Sequence, residues 1–258
     1  MIAWTERLEG RNGPRGPVAE LTLTDRTGGS SVGPYGTATG SDGLNLGVHV
    51  GDDLDRVTAN RAALASALGL AVERLVVANQ VHGVTVAHVS DPWPTRPQDA
   101  DAMVTTVPDL ALAVLVADCV PVLLAAPDEG VVAVAHAGRP GMAAGVVPAT
   151  VGAMRDLGGR RIVARLGPSV CGRCYEVPLE LREQVAAVQP VSRTLTWAGT
   201  PALDVAAGVL SQLVELGVAV QQLPGCTRES ANLYSYRRDG RTGRFAGVAR
   251  LRPAEVGA

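Results

Sequence analysis

Three apolar runs, Leu110 to Ala117, Val120 to Ala125 and Gly130 to Ala135, follow one another with only short polar breaks. No other feature constrains the chain as strongly. A strand with one wet face alternates apolar and polar residues, so uninterrupted runs of this length suit strands covered on both faces. The chain must therefore supply layers on either side of them. With one Phe, four Tyr and three Trp among 258 residues, the core has to be built from Val, Leu and Ala. The expectation is an α/β (α+β) protein: one layered domain over residues 1–258, with mixed β-sheets flanked by helices.

The remaining pattern supplies those layers. Val18 to Leu23 reads as a strand that runs into the turn-rich segment 27–36. Asp52 or Asp53 is placed to cap a helix from about Leu54 to Leu68, which Gly69 ends. Leu75 to Val81, Val84 to Val89 and Ala102 to Thr106 are β-rich, with the polar, proline-rich stretch 90–98 between the last two. Helices are expected over Gly145 to Leu157, Leu179 to Val188, and Asp204 to Leu216, the last interrupted by Gly208. There is no internal repeat.

Charge excludes several classes of function. The net charge is −2, and the basic residues are scattered apart from Arg237, Arg238, Arg241, Arg244 and Arg250, so no nucleic-acid partner is expected. No apolar run approaches the roughly 18 residues a membrane helix needs, and the N-terminal residues lack the pattern of an export signal. Four cysteines suit a reducing compartment, so a cytoplasmic location without membrane contact is expected. Cys171-Gly172-Arg173-Cys174 is a lone C-x-x-C. It reads first as two packed thiols near a turn, with a redox pair or part of a second metal site as the alternatives.

His82, Cys119 and His136 each follow a β-rich run within two residues. In a layered sheet their side chains can emerge at strand ends around one pocket. One thiolate and two imidazoles suit a catalytic zinc site, which keeps three protein ligands and an open fourth position. Their separations match no short metal motif, and on spacing alone three ordinary buried residues remain the simpler reading.

Three motifs add a resemblance: Asn79-Gln80-Val81-His82-Gly83, Ala117-Asp118-Cys119-Val120-Pro121-Val122 and Ala135-His136-Ala137-Gly138. They resemble, in order, the metal-bearing motifs of the family labelled multicopper polyphenol oxidase (laccase-like), whose members are also called YfiH-like or peptidoglycan editing factors. Further blocks are similar to it, among them Leu44-Asn45-Leu46-Gly47, Asn60-Arg61, Asp101 to Thr105, Tyr175-Glu176-Val177 and Tyr234 to Gly240. Two departures stand out. Arg139-Pro140-Gly141 replaces the usual Trp-Arg-Gly, and Asn79 stands where His is common. Proline lacks a backbone N–H, so any main-chain contact at that point is altered.

The resemblance implies a single-domain α/β enzyme that cleaves purine nucleosides with phosphate and deaminates adenosine, with His82, Cys119 and His136 as metal ligands. Zinc is the expected ion and copper the alternative. Asp118 is the expected proton carrier, unless it only stabilises its turn. Arg61, Arg139, Arg237 and Arg238 are the arginines placed to hold phosphate or substrate. Asn45 and His49 are expected to line the pocket, or to hold its loop. A monomer is expected. Three other readings compete: an amidase editing peptidoglycan precursors, a copper polyphenol oxidase, and a metal-stabilised binding protein without activity. Four histidines are too few for blue-copper plus trinuclear copper chemistry. A mononuclear copper site with Met142 as axial ligand stays open, and the H-x-E signature of zinc nucleobase deaminases is absent.

Overall fold

The computed structural model describes residues 1–11, 16–93 and 97–253. Residues 94–96 of the proline-rich stretch lie outside the described residues, as do 12–15 and 254–258 of the expected domain. Among the described residues the strands form three sheets. The first has the order β1 (Ile2–Glu9), β2 (Val18–Thr24), β14 (Phe245–Arg252), β7 (Ala111–Val116), β4 (Leu75–Val77). The second runs β13 (Ala219–Gln222), β10 (Val163–Leu166), β8 (Val120–Ala126), β9 (Val131–Ala137), β6 (Ala102–Thr105), β5 (Val86–His88). A short ribbon pairs β11 (Arg193–Leu195) with β12 (Pro201–Leu203). β3 (Thr27–Ser31) lies against α1 (Leu54–Ala67). Both large sheets mix parallel and antiparallel neighbours, in line with the mixed sheets expected.

The uninterrupted apolar runs have a direct cause in this layering. On β7, Leu112 and Val114 point into the core between the two large sheets. Ala111, Ala113 and Leu115 point the other way, onto Leu64 and Leu68 of the α1 layer. On β8, Leu123 and Ala125 face the first sheet, while Val120, Val122 and Leu124 face the helices. Those helices are α2 (Arg139–Ala144), α3 (Val146–Asp156), α4 (Leu179–Val188) and α5 (Val205–Glu215). The inner strands of the two large sheets thus have two covered faces, and each fully buried Leu contributes about 1.5–3 kcal/mol.

The helix ends follow local chemistry. Asp53, not Asp52, caps α1 by accepting the N–H groups of Asp55 and Arg56. Asp204 caps α5 through the N–H of Ala207. The helix expected over 145–157 is α3, and a short helix that was not expected, α2, precedes it; Gly145 takes a left-handed conformation (φ 97°) that ends α2 and starts α3. The strand expected over 75–81 stops at Val77. Beyond it the side-chain amide of Gln80 takes over the pairing, donating to the carbonyl of Leu115 (2.8 Å) and accepting its N–H (2.7 Å).

The central strand β14 carried no clear sequence signal because two arginines interrupt its pattern. Arg250 is buried against Glu20, with Nε 2.7 Å from the carboxylate, and Arg7 and Arg252 reach the same carboxylate. Register explains the cluster, since Glu20 lies opposite Arg7 on one side and Arg250 on the other. A buried charge needs partners of this kind. The last short helix, α6 (Tyr236–Asp239), is capped by Ser235 and leads into β14.

Candidate metal centre and cavity

Sheet register brings the three expected ligands together. β8 and β9 are antiparallel neighbours, with Val120 opposite Ala137 and Pro121 opposite His136. Cys119, in the turn entering β8, therefore lies beside His136 near the end of β9. On its other flank β9 pairs with β6, and the N–H of His136 donates to the carbonyl of Asp101 (2.7 Å).

Asp101 is the organiser of the site. Its carboxylate, 1% exposed, accepts the backbone N–H groups of Val81 (3.2 Å), His82 (2.9 Å) and Gly83 (2.6 Å). It also bonds Nδ1 of His136 at 2.8 Å. One carboxylate thus shapes the loop that presents His82 and turns Nε2 of His136 toward the site, the outer partner that metal-binding imidazoles usually have. His82 is held with φ 59° and Asp118 with φ 97°. Among the described residues only Asp109 shares this conformation without being glycine. Such backbone is costly for a side chain with Cβ and persists where surrounding bonds impose it.

The donor atoms of His82, Cys119 and His136 lie within 4.8 Å of one another. Sγ of Cys119 is 3.8 Å from Nε2 of His82, and the two imidazole rings meet edge to face at 4.7 Å. A tetrahedral ion with ordinary bonds spaces its ligands about 3.3 Å (N to N) and about 3.6 Å (N to S) apart, so small side-chain adjustments close the set on a metal. Burial opposes the Cys119 thiolate, but His136 and His82 outweigh it and bring the thiol down to about 6. Burial likewise opposes the His136 cation, and the Cys119 thiolate with Asp101 outweighs it, raising His136 to about 9. The pair therefore shares a proton that a metal would displace. Gly138 completes the fit, since a Cβ there would lie 2.6 Å from Cδ2 of His82 and 3.1 Å from Sγ of Cys119.

The triad opens into a cavity of about 380 Å³. His49, Asp118, Arg139 and Arg237 of the expected site residues line it, and sequence reasoning missed Gln80, Tyr175, Tyr236 and Arg244. Arg244 belongs to the late arginine cluster, which was the available signal. Asp118 is heavily engaged: Oδ1 accepts from the hydroxyls of Thr227 and Ser235 (both 2.6 Å) and Oδ2 from the N–H of Arg237 (2.6 Å). Burial, Arg244 and Arg61 hold His49 below the usual imidazole range.

Three expected site residues do not line the cavity. Asn45 is buried and braces its loop through Gly47, Asp52 and the N–H of Arg244. Arg61 donates from Nε to the carbonyl of Leu46. Arg238 binds the carbonyls of Thr227, Ser230 and Leu233 together with Asp239. Met142, the expected axial ligand of a copper site, is fully buried in the helical layer and does not line the cavity either. Arg139 and Pro140 occupy the first turn of α2, where a missing N–H leaves no helical bond broken, so the altered motif still delivers an arginine to the cavity.

Comparison with known proteins is consistent over most of the chain. Residues 20–252 match the multi-copper polyphenol oxidoreductase laccase family. A Streptomyces coelicolor protein named purine nucleoside phosphorylase is 59% identical over 237 residues, 90% of this chain and 96% of the relative. Another so named, from Streptomyces griseus, is 51% identical over 95% of this chain and 99% of the relative. Among solved structures, YlmD from Geobacillus stearothermophilus superposes with a TM-score of 0.82 at 32% identity, covering 92% of this chain and 97% of its own. A Neisseria meningitidis protein of the DUF152 family gives 0.80 at 33%, covering 91% and 94%.

Proposed function

The chain belongs to the multi-copper polyphenol oxidoreductase laccase family, and on that footing we propose that it is a zinc-dependent purine nucleoside phosphorylase that also deaminates adenosine. The observation that carries the reading is the convergence of His82, Cys119 and His136 on a cavity lined by three arginines and two tyrosines. The soft thiolate beside two imidazoles favours zinc over harder ions, with copper the alternative. Held by these three ligands, zinc would supply a Lewis acid to the cavity.

The protein's own groups do the rest. Arg139, Arg237 and Arg244 offer guanidinium forks to an inorganic phosphate. In phosphorolysis a phosphate oxygen bonds to C1′ of the ribose as the bond from C1′ to the purine nitrogen breaks. The products are ribose 1-phosphate and the free base, which takes up a proton. His49, held below the usual imidazole range by burial and by Arg244 and Arg61, is the group suited to take the proton of the attacking phosphate and pass it to the departing base. Asp118, with three donors on its carboxylate, holds the wall and the backbone of Arg237 in place. Tyr175 lies under the guanidinium of Arg237, 4.9 Å from its centre, and exposed Tyr236 offers a face for the purine. The substrate is thus a small molecule.

The test is chromatography of products from adenosine, with and without phosphate, using protein whose zinc and copper content has been measured. Phosphate-dependent adenine, phosphate-independent inosine, and loss of both by about 10³-fold or more in Cys119→Ala are expected. Absence of any purine product from protein carrying one metal would overturn the reading and turn attention to peptidoglycan-precursor amides.

A further inference from the structure

Behind the cavity wall lies a second group of metal-capable side chains that the proposed chemistry does not use. Cys171 and Cys174, expected to be two thiols packed near a turn, are joined there by Cys226 and Glu229. The four donor atoms lie within 4.8 Å of one another. No disulfide links the cysteines.

The two halves of the cluster have the same local fold. The carbonyl of Cys171 accepts the N–H groups of Cys174 (2.9 Å) and Tyr175 (3.0 Å). The carbonyl of Cys226 accepts those of Glu229 (3.2 Å) and Ser230 (2.9 Å). Each half is therefore a tight turn carrying donors at its first and fourth positions, the spacing that presents two ligands to one tetrahedral ion. The halves are stitched together by a bridge between Ser169 and Cys226 and by the N–H of Thr227 donating to Ser169 (3.1 Å). The N–H of Cys171 points at Sγ of Cys226 (3.4 Å), and Sγ of Cys174 is 3.3 Å from Oε1 of Glu229.

We propose that Cys171, Cys174, Cys226 and Glu229 form a second, structural zinc site with three thiolate ligands and one carboxylate. Cys174 and Cys226 are buried, Cys171 is half-buried and Glu229 is exposed, so the thiols lie inward and the carboxylate would close the fourth position from the solvent side. Zinc binding releases the three thiol protons to solvent, and no electron is transferred. The site has a clear mechanical role. One of its turns carries Val170 and Tyr175, which line the cavity, and the other carries Thr227, which anchors Asp118. The ion clamps both turns, and with them the cavity wall. Arg238 binds the carbonyls of Thr227 and Ser230 at the flank of the cluster and offsets its excess negative charge.

The experiment counts zinc rather than turnover, so it is independent of the nucleoside reading. Wild type, Cys119→Ala and the double variant Cys171→Ser/Cys226→Ser are equilibrated with zinc, freed of loosely held metal on a chelating resin, and analysed by mass spectrometry. Two zinc ions per chain are expected for wild type and one for each variant, with the melting temperature of the double variant lower by about 5–10 °C. A Cys119→Ala protein that retains no zinc overturns the proposal, even if the double variant fails to fold. So does a thiol count on freshly purified wild type showing two of Cys171, Cys174 and Cys226 joined as a disulfide.

Discussion

Cys119 and Cys174 both sit in groups able to hold a metal, yet their surroundings drive them in opposite directions. Burial raises both thiols. Around Cys119, His136 and His82 reverse that effect and bring the thiol down to about 6. Around Cys174, burial is reinforced by Glu229 and Cys171, and the thiol is pushed up to about 12. Neighbour identity therefore decides whether a buried thiol is a ready thiolate or an inert one. Imidazoles leave one group reactive and open to the cavity, while thiols and a carboxylate leave the other silent until a cation arrives.

The comparison can be broken most sharply by alkylation of metal-stripped protein, followed residue by residue by mass spectrometry. The thiolate is the nucleophile, so labelling of Cys119 should rise as the pH climbs through about 6 and then level off. Cys174 should gain tenfold per pH unit across the same range. At neutral pH its thiolate fraction is about 10⁵-fold smaller, and its greater intrinsic nucleophilicity recovers about 10³ of that, leaving roughly 10² in favour of Cys119. Equal labelling would erase the contrast.

A second test acts on the open site alone. Gly138→Ala places a methyl group against His82 and Cys119, and the resulting displacement of ligands should reduce kcat/KM by about 10²-fold. Zinc at the four-residue cluster should be unaffected, as metal analysis would show. Asp101→Asn should have the smallest effect, about 10–100-fold on activity or metal affinity, because His136 loses a charged partner while its ligand atom remains. Unchanged activity in that variant would remove Asp101 from its place as organiser.

Different parts of the molecule were open to sequence reasoning to different degrees. The runs around Asp118-Cys119 and His136 declared strands buried on both faces, because two covered faces leave no polar alternation to hide them. The helix capped by Asp52 or Asp53 was readable because capping is local, and the one starting at Asp204 was readable as a helical run, although the cap Asp204 makes on Ala207 was seen only in the structure. The strand β14 was not, since Arg250 looks like a surface residue until Glu20 is placed across from it. The ligand triad was recognisable by motif, whereas Asp101 was quoted within a motif and its role could not be seen. That role depends on β6 lying beside β9 and on three N–H groups of a distant loop turning inward.

By itself the sequence determined the layered α/β class, the covered strands, the capped helices and the identity of the three candidate ligands, because each of these rests on local pattern and residue chemistry. Only the tertiary structure decided which arginines reach the cavity, that Asn45, Arg61 and Arg238 brace loops instead, and that Cys171-x-x-Cys174 meets Cys226-x-x-Glu229. Those are contacts between segments far apart in the chain. Sheet register and loop docking set them, and neither leaves a mark in the spacing of residues along one segment.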